Sequence, residues 1–356
     1  FFSLSVLRVY FNHAMRQCLR AFAQGGSSML HLVEYGGTIT WFPGHMQKAS
    51  VQVAKKLRNM DFVLEVRDAR LPFICHNPDL DKYVERRKRV LVLNKSDLAE
   101  WSESCKAQKY FASQGIFTVI TRAKGEAYRN CEPLKKLIQR ITWQLNLKRE
   151  FRSLPLMGMV VGLPNVGKSA IINQLRLSSP DQSALKGKAG KRAKEGPLPG
   201  VTRDLGWVEV STNPHCLLVD TPGIMVKRIP HIEDGLKLSL CGNIKDSIVG
   251  VENLAQYLVN FMNHNGLHER YMAAFNLDRR CSDWDELAER IWGKMRRRDQ
   301  DGTDTQLAAA HFLAKFRNGG LGRFTLEDVS SAIEMQNRKV RVSEERRRWG
   351  TNKSAV

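Results

Sequence analysis

Apolar residues along the chain gather in short continuous runs, each ending in a polar or glycine-rich loop. Such runs lie at Phe62–Val66, Val90–Leu93, Ile116–Ile120, Leu156–Val161 and Leu217–Val219. Runs of this length predict strands buried in an α/β sheet, whose loops line a ligand crevice at the strands' C-terminal ends. Other stretches follow helical spacing. Val51, Ala54 and Leu57 recur on one face, Asp79–Tyr83 starts a helix, and residues 133–149 and 169–175 continue the pattern. From Glu233 onward the strand signal vanishes. Leu236, Leu240, Ile244, Ile248, Leu254, Tyr257, Leu258 and Phe261 read as helices, followed by another over Leu307–Phe316. The pattern predicts an α/β domain followed by a small all-α domain.

Composition changes this picture in one respect. The 356 residues, 42% hydrophobic, suffice for an α/β domain and a smaller companion. Lys plus Arg exceed Asp plus Glu by 56 − 36 = 20. So large an excess points to a polyanionic partner, nucleic acid before membrane. The seven cysteines show no C-x-x-C pair and no metal-site spacing, and read as reduced thiols. No apolar run approaches the ~20 residues needed to span a bilayer.

Three loops carry the chemistry. Gly162-Leu163-Pro164-Asn165-Val166-Gly167-Lys168-Ser169 stands between a strand and a helix, the context a phosphate-binding loop requires. Backbone N–H groups from Asn165 to Ala170 would wrap the phosphates at the positive end of the helix dipole. Lys168 would reach the β and γ phosphates, and Ser169 would hold Mg²⁺. Asn94-Lys95-Ser96-Asp97 closes a second strand. Its Asp97 carboxylate can accept both donors of the guanine edge, which adenine lacks, so the base is guanine. Asp220-Thr221-Pro222-Gly223 closes a third strand and reads as the γ-phosphate sensor, with Asp220 reaching Mg²⁺ through water. Thr202, in Pro199-Gly200-Val201-Thr202, offers a further Mg²⁺ contact. Two rivals stand beside this reading: a P-loop ATPase or kinase, which Asn94–Asp97 disfavours, and an RNA-binding scaffold with a vestigial nucleotide site.

In ordinary GTPases the NKxD loop comes last, whereas here it precedes the P-loop by about seventy residues. That order, with Trp41-Phe42-Pro43-Gly44-His45-Met46, resembles the circularly permuted ribosome-biogenesis GTPase A family and its mitochondrial branch. The resemblance runs from about Gly37 to about Asp328. It implies a P-loop GTPase domain with motif order G4-G5-G1-G2-G3 over 37–230, an α-helical domain over 231–335 and a basic tail over 336–356. It also implies an assembly factor for the large mitochondrial ribosomal subunit that binds GTP and GDP, rRNA and pre-ribosomal proteins. The place would be the mitochondrial matrix, with peripheral inner-membrane contact. Thr121-Arg122-Ala123 stands where the family's base-covering loop lies, with Arg122 in place of serine. Asn165 matches an asparagine that holds K⁺ beside the phosphates in K⁺-activated relatives.

Residues 1–33 contain no Asp or Glu and include Arg8, Arg16 and Arg20, the composition of a mitochondrial transit peptide over 1–36. Lys186, Lys188, Lys191, Arg192 and Lys194 make the segment before Thr202 basic and expected to be mobile without nucleotide. The residue after Gly223 is Ile224, where other GTPases carry a water-orienting glutamine. Hydrolysis is therefore expected to be slow alone, and the resemblance assigns the missing function to His45.

Overall fold

The computed structural model describes residues 51, 53–84, 87–123, 131–148, 154–177, 207–226, 229–295 and 304–351. Two units emerge. One holds the sheet and comprises the described residues within Gly44–Val226 and Arg323–Val356; the other comprises the described residues within Lys227–Gly322. The first 50 residues, including the expected transit segment, lie outside the described residues.

Six strands form the first unit's sheet: β1 (Phe62–Asp68), β2 (Lys88–Asn94), β3 (Phe117–Ile120), β4 (Leu156–Val161), β5 (Trp207–Thr212) and β6 (His215–Val219). Their spatial order is β3-β2-β1-β4-β6-β5, parallel throughout except for β5 against β6. β1 is buried at every residue and lies between β2 and β4. This explains its lack of apolar–polar alternation. β5, antiparallel and at the edge, does alternate: Val208 and Val210 are buried while Trp207 is exposed.

Helices cover the sheet. α1 (Trp101–Ser113) places Ala107 and Phe111 with Leu91, Leu93 and Ala69 in one cluster. α2 (Glu132–Leu147) buries Leu134, Ile138 and Ile141, and α3 (Lys168–Leu177) buries Ile171, Ile172 and Leu175. A second cluster joins Val53, Leu57, Leu80 and Val84 to Met159, Val161, Val219 and Ile224.

The sequence reading ended the helical domain at 335 and began a tail at 336. The structure divides the chain differently. It leaves the helical unit at Gly322 and rejoins the sheet unit. The Phe324 N–H donates to the Leu98 carbonyl at 3.1 Å, and the Leu326 N–H donates to that of Arg70 at 3.0 Å. The Glu327 carboxylate accepts the N–H groups of Phe73 and Ile74 at 3.0 and 2.5 Å. One continuous helix then runs over Val329–Thr351 (α9). Val329 and Ile333, four apart and so on one face, pack into the α1 cluster.

In the helical unit, α4 (Ile232–Leu240), α5 (Val251–His264), α6 (His268–Phe275), α7 (Trp284–Met295) and α8 (Thr305–Arg317) build a separate core. α5 supplies much of it through Leu254, Ala255, Leu258, Val259 and Met262. Arg317 pairs with both oxygens of Asp246 at 2.6–2.8 Å and donates to the Ser239 and Leu240 carbonyls. One guanidinium thus caps the C-terminus of α4 and pins the following turn. No helix among the described residues is long and apolar enough to cross a membrane.

Candidate nucleotide site

The loops after β1, β2, β4 and β6 meet at the C-terminal end of the sheet. After β4 the backbone turns through Asn165, at φ +57°, and Gly167, at φ +96°, into α3. A side chain at Gly167 would do more than strain this backbone. Its Cβ would fall 2.3 Å from Nδ2 of Asn94, so glycine is what lets the two loops touch.

Asn94 is the joint. Its Nδ2 donates to the Val166 carbonyl at 2.9 Å, and its Oδ1 accepts from the Ala123 N–H at 3.0 Å and the Thr121 hydroxyl at 3.3 Å. Three loops of the expected site are therefore held by one buried side chain. The Ser96 N–H donates to the Thr121 carbonyl at 3.1 Å, and Gln174 of α3 donates to the Ala123 carbonyl at 3.3 Å.

Lys168, at the start of α3, bends back over the P-loop and donates to the carbonyls of Leu163 (2.9 Å) and Gly162 (3.3 Å). Burial pulls its ammonium down to about 8, with Asp220 opposing the shift and Lys95 adding to it. The next residue, Ser169, donates its hydroxyl to Asp220 Oδ2 at 2.7 Å. A hydroxyl and a carboxylate at this spacing are the hard oxygen donors that suit Mg²⁺, which keeps most of its ligands as water and phosphate oxygens. Bound there, Mg²⁺ would neutralise charge on the β and γ phosphate oxygens.

On the base side, Lys95 adopts φ +61° and its ammonium lies 3.0 Å from Asp68 at the end of β1. Asp68 also receives both Nε and Nη2 of Arg70, at 3.0 and 2.9 Å. Burial pushes the Asp68 carboxyl up, and Arg70 and Lys95 more than reverse this, holding it well below the ordinary carboxylate range. The sequence places Asp68-Ala69-Arg70 in a crevice loop at the end of a buried strand, a D-A-R loop shared with the family it resembles, but gives Asp68 no role. Asp97 faces Arg122 at 3.6 Å, so the residue in the usual serine's place sets a guanidinium beside the base-reading carboxylate.

After β6, the Thr221 hydroxyl donates to the Val160 carbonyl at 2.6 Å, and Gly223 lies so close to Pro164 that a Cβ would sit 2.4 Å from its Cα. The Ile224 N–H donates to the Gly162 carbonyl at 3.2 Å, and the Ile224 side chain turns into the core, 2% exposed. The structure thus brings together Asn94, Lys95, Asp97, Thr121, Arg122 and Ala123 with Asn165–Ala170, Asp220 and Gly223. Thr202 with its basic segment, and His45 with its motif, lie outside the described residues.

A family described as 50S ribosome-binding GTPase matches residues 158–280, which hold the P-loop and the Asp220–Gly223 loop. The mitochondrial ribosome-associated GTPase 1 of Xenopus tropicalis is 33% identical over 306 residues, covering 81% of this chain and 94% of that protein. The ribosome biogenesis GTPase A of Bacillus cereus is also 33% identical, over 81% of this chain and 93% of its own. The chain belongs to the ribosome biogenesis GTPase A family. It is a GTPase, and GTPases of this kind use Mg²⁺. Among solved structures, GNP-bound YlqF from T. maritima aligns over 79% of this chain and 98% of its own, with TM-score 0.52 and 23% identity, a likeness of fold.

Proposed function

We propose that this GTPase is a GTP-gated assembly factor acting on the large mitochondrial ribosomal subunit in the matrix. The observation that carries the reading is the joint at Asn94, which fixes a guanine-reading loop against a phosphate-binding loop. In this reading Asp97 reads the guanine edge, and the Thr121–Ala123 backbone covers its O6. Lys168 and the N–H groups of Asn165–Ala170 hold the phosphates. Ser169, Thr202 and Asp220 hold Mg²⁺, and Asn165 adds K⁺, whose charge would do the work of an arginine finger. Gly223 reports the γ-phosphate to the chain that follows.

The names of the relatives, one a mitochondrial ribosome-associated GTPase and one a ribosome biogenesis GTPase, support the place and the process. The surplus of twenty positive charges supports rRNA as the partner. Hydrolysis is the timer, and binding and release of the particle are the output. Sucrose-gradient sedimentation of mitochondrial extract with a non-hydrolysable GTP analogue or with GDP tests this. The protein is expected in the large-subunit fractions with the analogue and free with GDP. The same profile in both states would overturn the gating.

A further inference from the structure

Helix α9 has two unlike halves. Its root is firmly held. Asp328 caps it, accepting the N–H and hydroxyl of Ser331 at 3.0 and 2.7 Å, while Val329 is fully buried against α1. Beyond Ile333 the burial stops. From Glu334 to Val342 every residue is exposed except the half-buried Gln336. A helix polar on all sides draws little stability from packing within its own chain. Such a stretch, about 24 Å long for sixteen residues at 1.5 Å each, is suited to an outside surface.

The chemistry of that surface follows from the sequence. Residues 336–351 hold Arg338, Lys339, Arg341, Arg346, Arg347 and Arg348 against Glu344 and Glu345, a net charge of 6 − 2 = +4. Arg338, Lys339 and Arg341 are all exposed and follow one another with no acid between Gln336 and Ser343. Val340 and Val342 stand two apart, on opposite sides of the helix, and Met335, Val342 and Trp349, seven apart, form a single narrow line rather than the broad apolar face that sinks into a bilayer. Arginine-rich, without a broad apolar face and rooted at its start, the helix matches the phosphate backbone of folded RNA.

We infer that the distal half of α9, Gln336–Thr351, is an RNA-docking arm. It rests on the assembly-factor reading above and gives that reading a surface. The root of the arm lies against the base-reading side of the site, since Phe324 bonds Leu98, the residue after Asp97, and Leu326 bonds Arg70, which holds Asp68.

The test uses the full chain and a variant with Arg338→Gln, Lys339→Gln and Arg341→Gln. The probe is bulk ribosomal RNA, titrated from 50 to 300 mM KCl. Each phosphate contact contributes about 0.7–0.9 to the log–log salt slope, so the variant is expected to bind weaker with a slope shallower by about 2–3. Its GDP affinity should match that of the parent, since none of the three residues touches the site. A chain ending at Met335 should behave alike. Parent and variant binding RNA with equal slope and affinity would overturn the arm while leaving the RNA reading intact. A parent that binds no RNA would overturn the RNA reading itself. Anionic phosphatidylserine vesicles serve as the second probe. Loss of vesicle binding in the variant, with RNA binding unchanged, would reassign the arm to a membrane surface.

Discussion

The side-chain amide of Asn94 donates to the carbonyl of Val166 at 2.9 Å, a bond that spans 72 residues of chain. It ties the loop after β2 to the phosphate-binding loop. Asn94→Ala would strand the Val166 carbonyl and the Ala123 N–H together. The expected loss is about 2–4 kcal/mol, from two buried polar groups left unpaired. Urea unfolding reads this directly, and GDP titration should show weaker binding. Unchanged stability would mean that the loops hold their geometry without the joint.

Asp97 faces Arg122 rather than a buried apolar wall, and in the function proposed above its carboxylate distinguishes guanine. Asp97→Asn should lower GTP affinity by roughly 10²–10⁴-fold, since a carboxylate accepting two donors becomes an amide that can accept only one. Xanthosine triphosphate should bind the variant better than the parent. Competition against a fluorescent GDP analogue measures both. A variant with parental GTP affinity would remove Asp97 from base recognition.

Lys168 gives the site a pH dependence of definite sign. Its folded pKa of about 8 lies below the unfolded value of about 10.4, so between these values the unfolded chain binds the extra proton. The contribution of Lys168 therefore raises the unfolding free energy as pH climbs through that window. Nucleotide binding runs the other way. Phosphate favours the charged ammonium, so affinity is full below pH 8 and falls by up to about tenfold per pH unit above it. Calorimetry of GDP binding at pH 8.5 in two buffers of different ionisation enthalpy should show proton uptake. Proton release would contradict the assignment of Lys168 to the phosphates.

Ile224 stands one residue after Gly223 yet belongs to the core with Val53, Leu57 and Val219. Ile224→Gln, the substitution that would restore the ordinary GTPase residue, should therefore fail to restore its function. It should cost about 2–4 kcal/mol through lost packing and a buried amide, and leave the basal hydrolysis rate unraised. Thermal melting and single-turnover hydrolysis check the two halves. A faster rate would show that the side chain can leave the core and reach water.

With Ile224 committed to packing, the proposed function leaves the water to be positioned from elsewhere, by His45 in that reading. An imidazole can orient water or accept a proton from it. His45→Ala should leave GDP affinity intact and remove about 10²–10⁴-fold of the stimulation that the proposed function expects from a large-subunit particle. Single-turnover hydrolysis with and without that particle decides it. Stimulation surviving in the variant would make the histidine a structural residue.

What could be read from the sequence was what local spacing encodes. β1, β2, β4 and β6 announced themselves as runs dense in apolar residues because parallel strands are buried on both faces, even though β1 also carries Glu65 and Arg67. β5 was overlooked, although Val208 and Val210 carry its period of two, because an edge strand shows only half the apolar signal. α1 has just Ala107 and Phe111 as apolar core anchors, so it owes its place to tertiary contact rather than pattern. The charge of α9 masked the one apolar pair, Val329 and Ile333, that docks it. In the site, the loops that hold a phosphate or a base are short motifs and could be read directly. The links between them could not. Asp68 meets Lys95, and Asn94 meets Val166, only once the strands lie side by side.

The order of the strands bears on how the chain matures as it is made. β1, β2 and β3 emerge first and can pair at once, but the other edge of β1 has no neighbour until β4 arrives from residue 156 onward. An all-buried strand thus waits with one row of backbone groups unsatisfied while the next stretch is synthesised, a hazard that favours chaperone protection. The last contacts come later still. Phe324, Leu326 and Val329 reach the loops after β1 and β2 only once the helical unit that precedes them has been made. Every residue of the guanine loop is therefore present long before its backing, and a nascent or truncated chain carries the motifs without the support behind them.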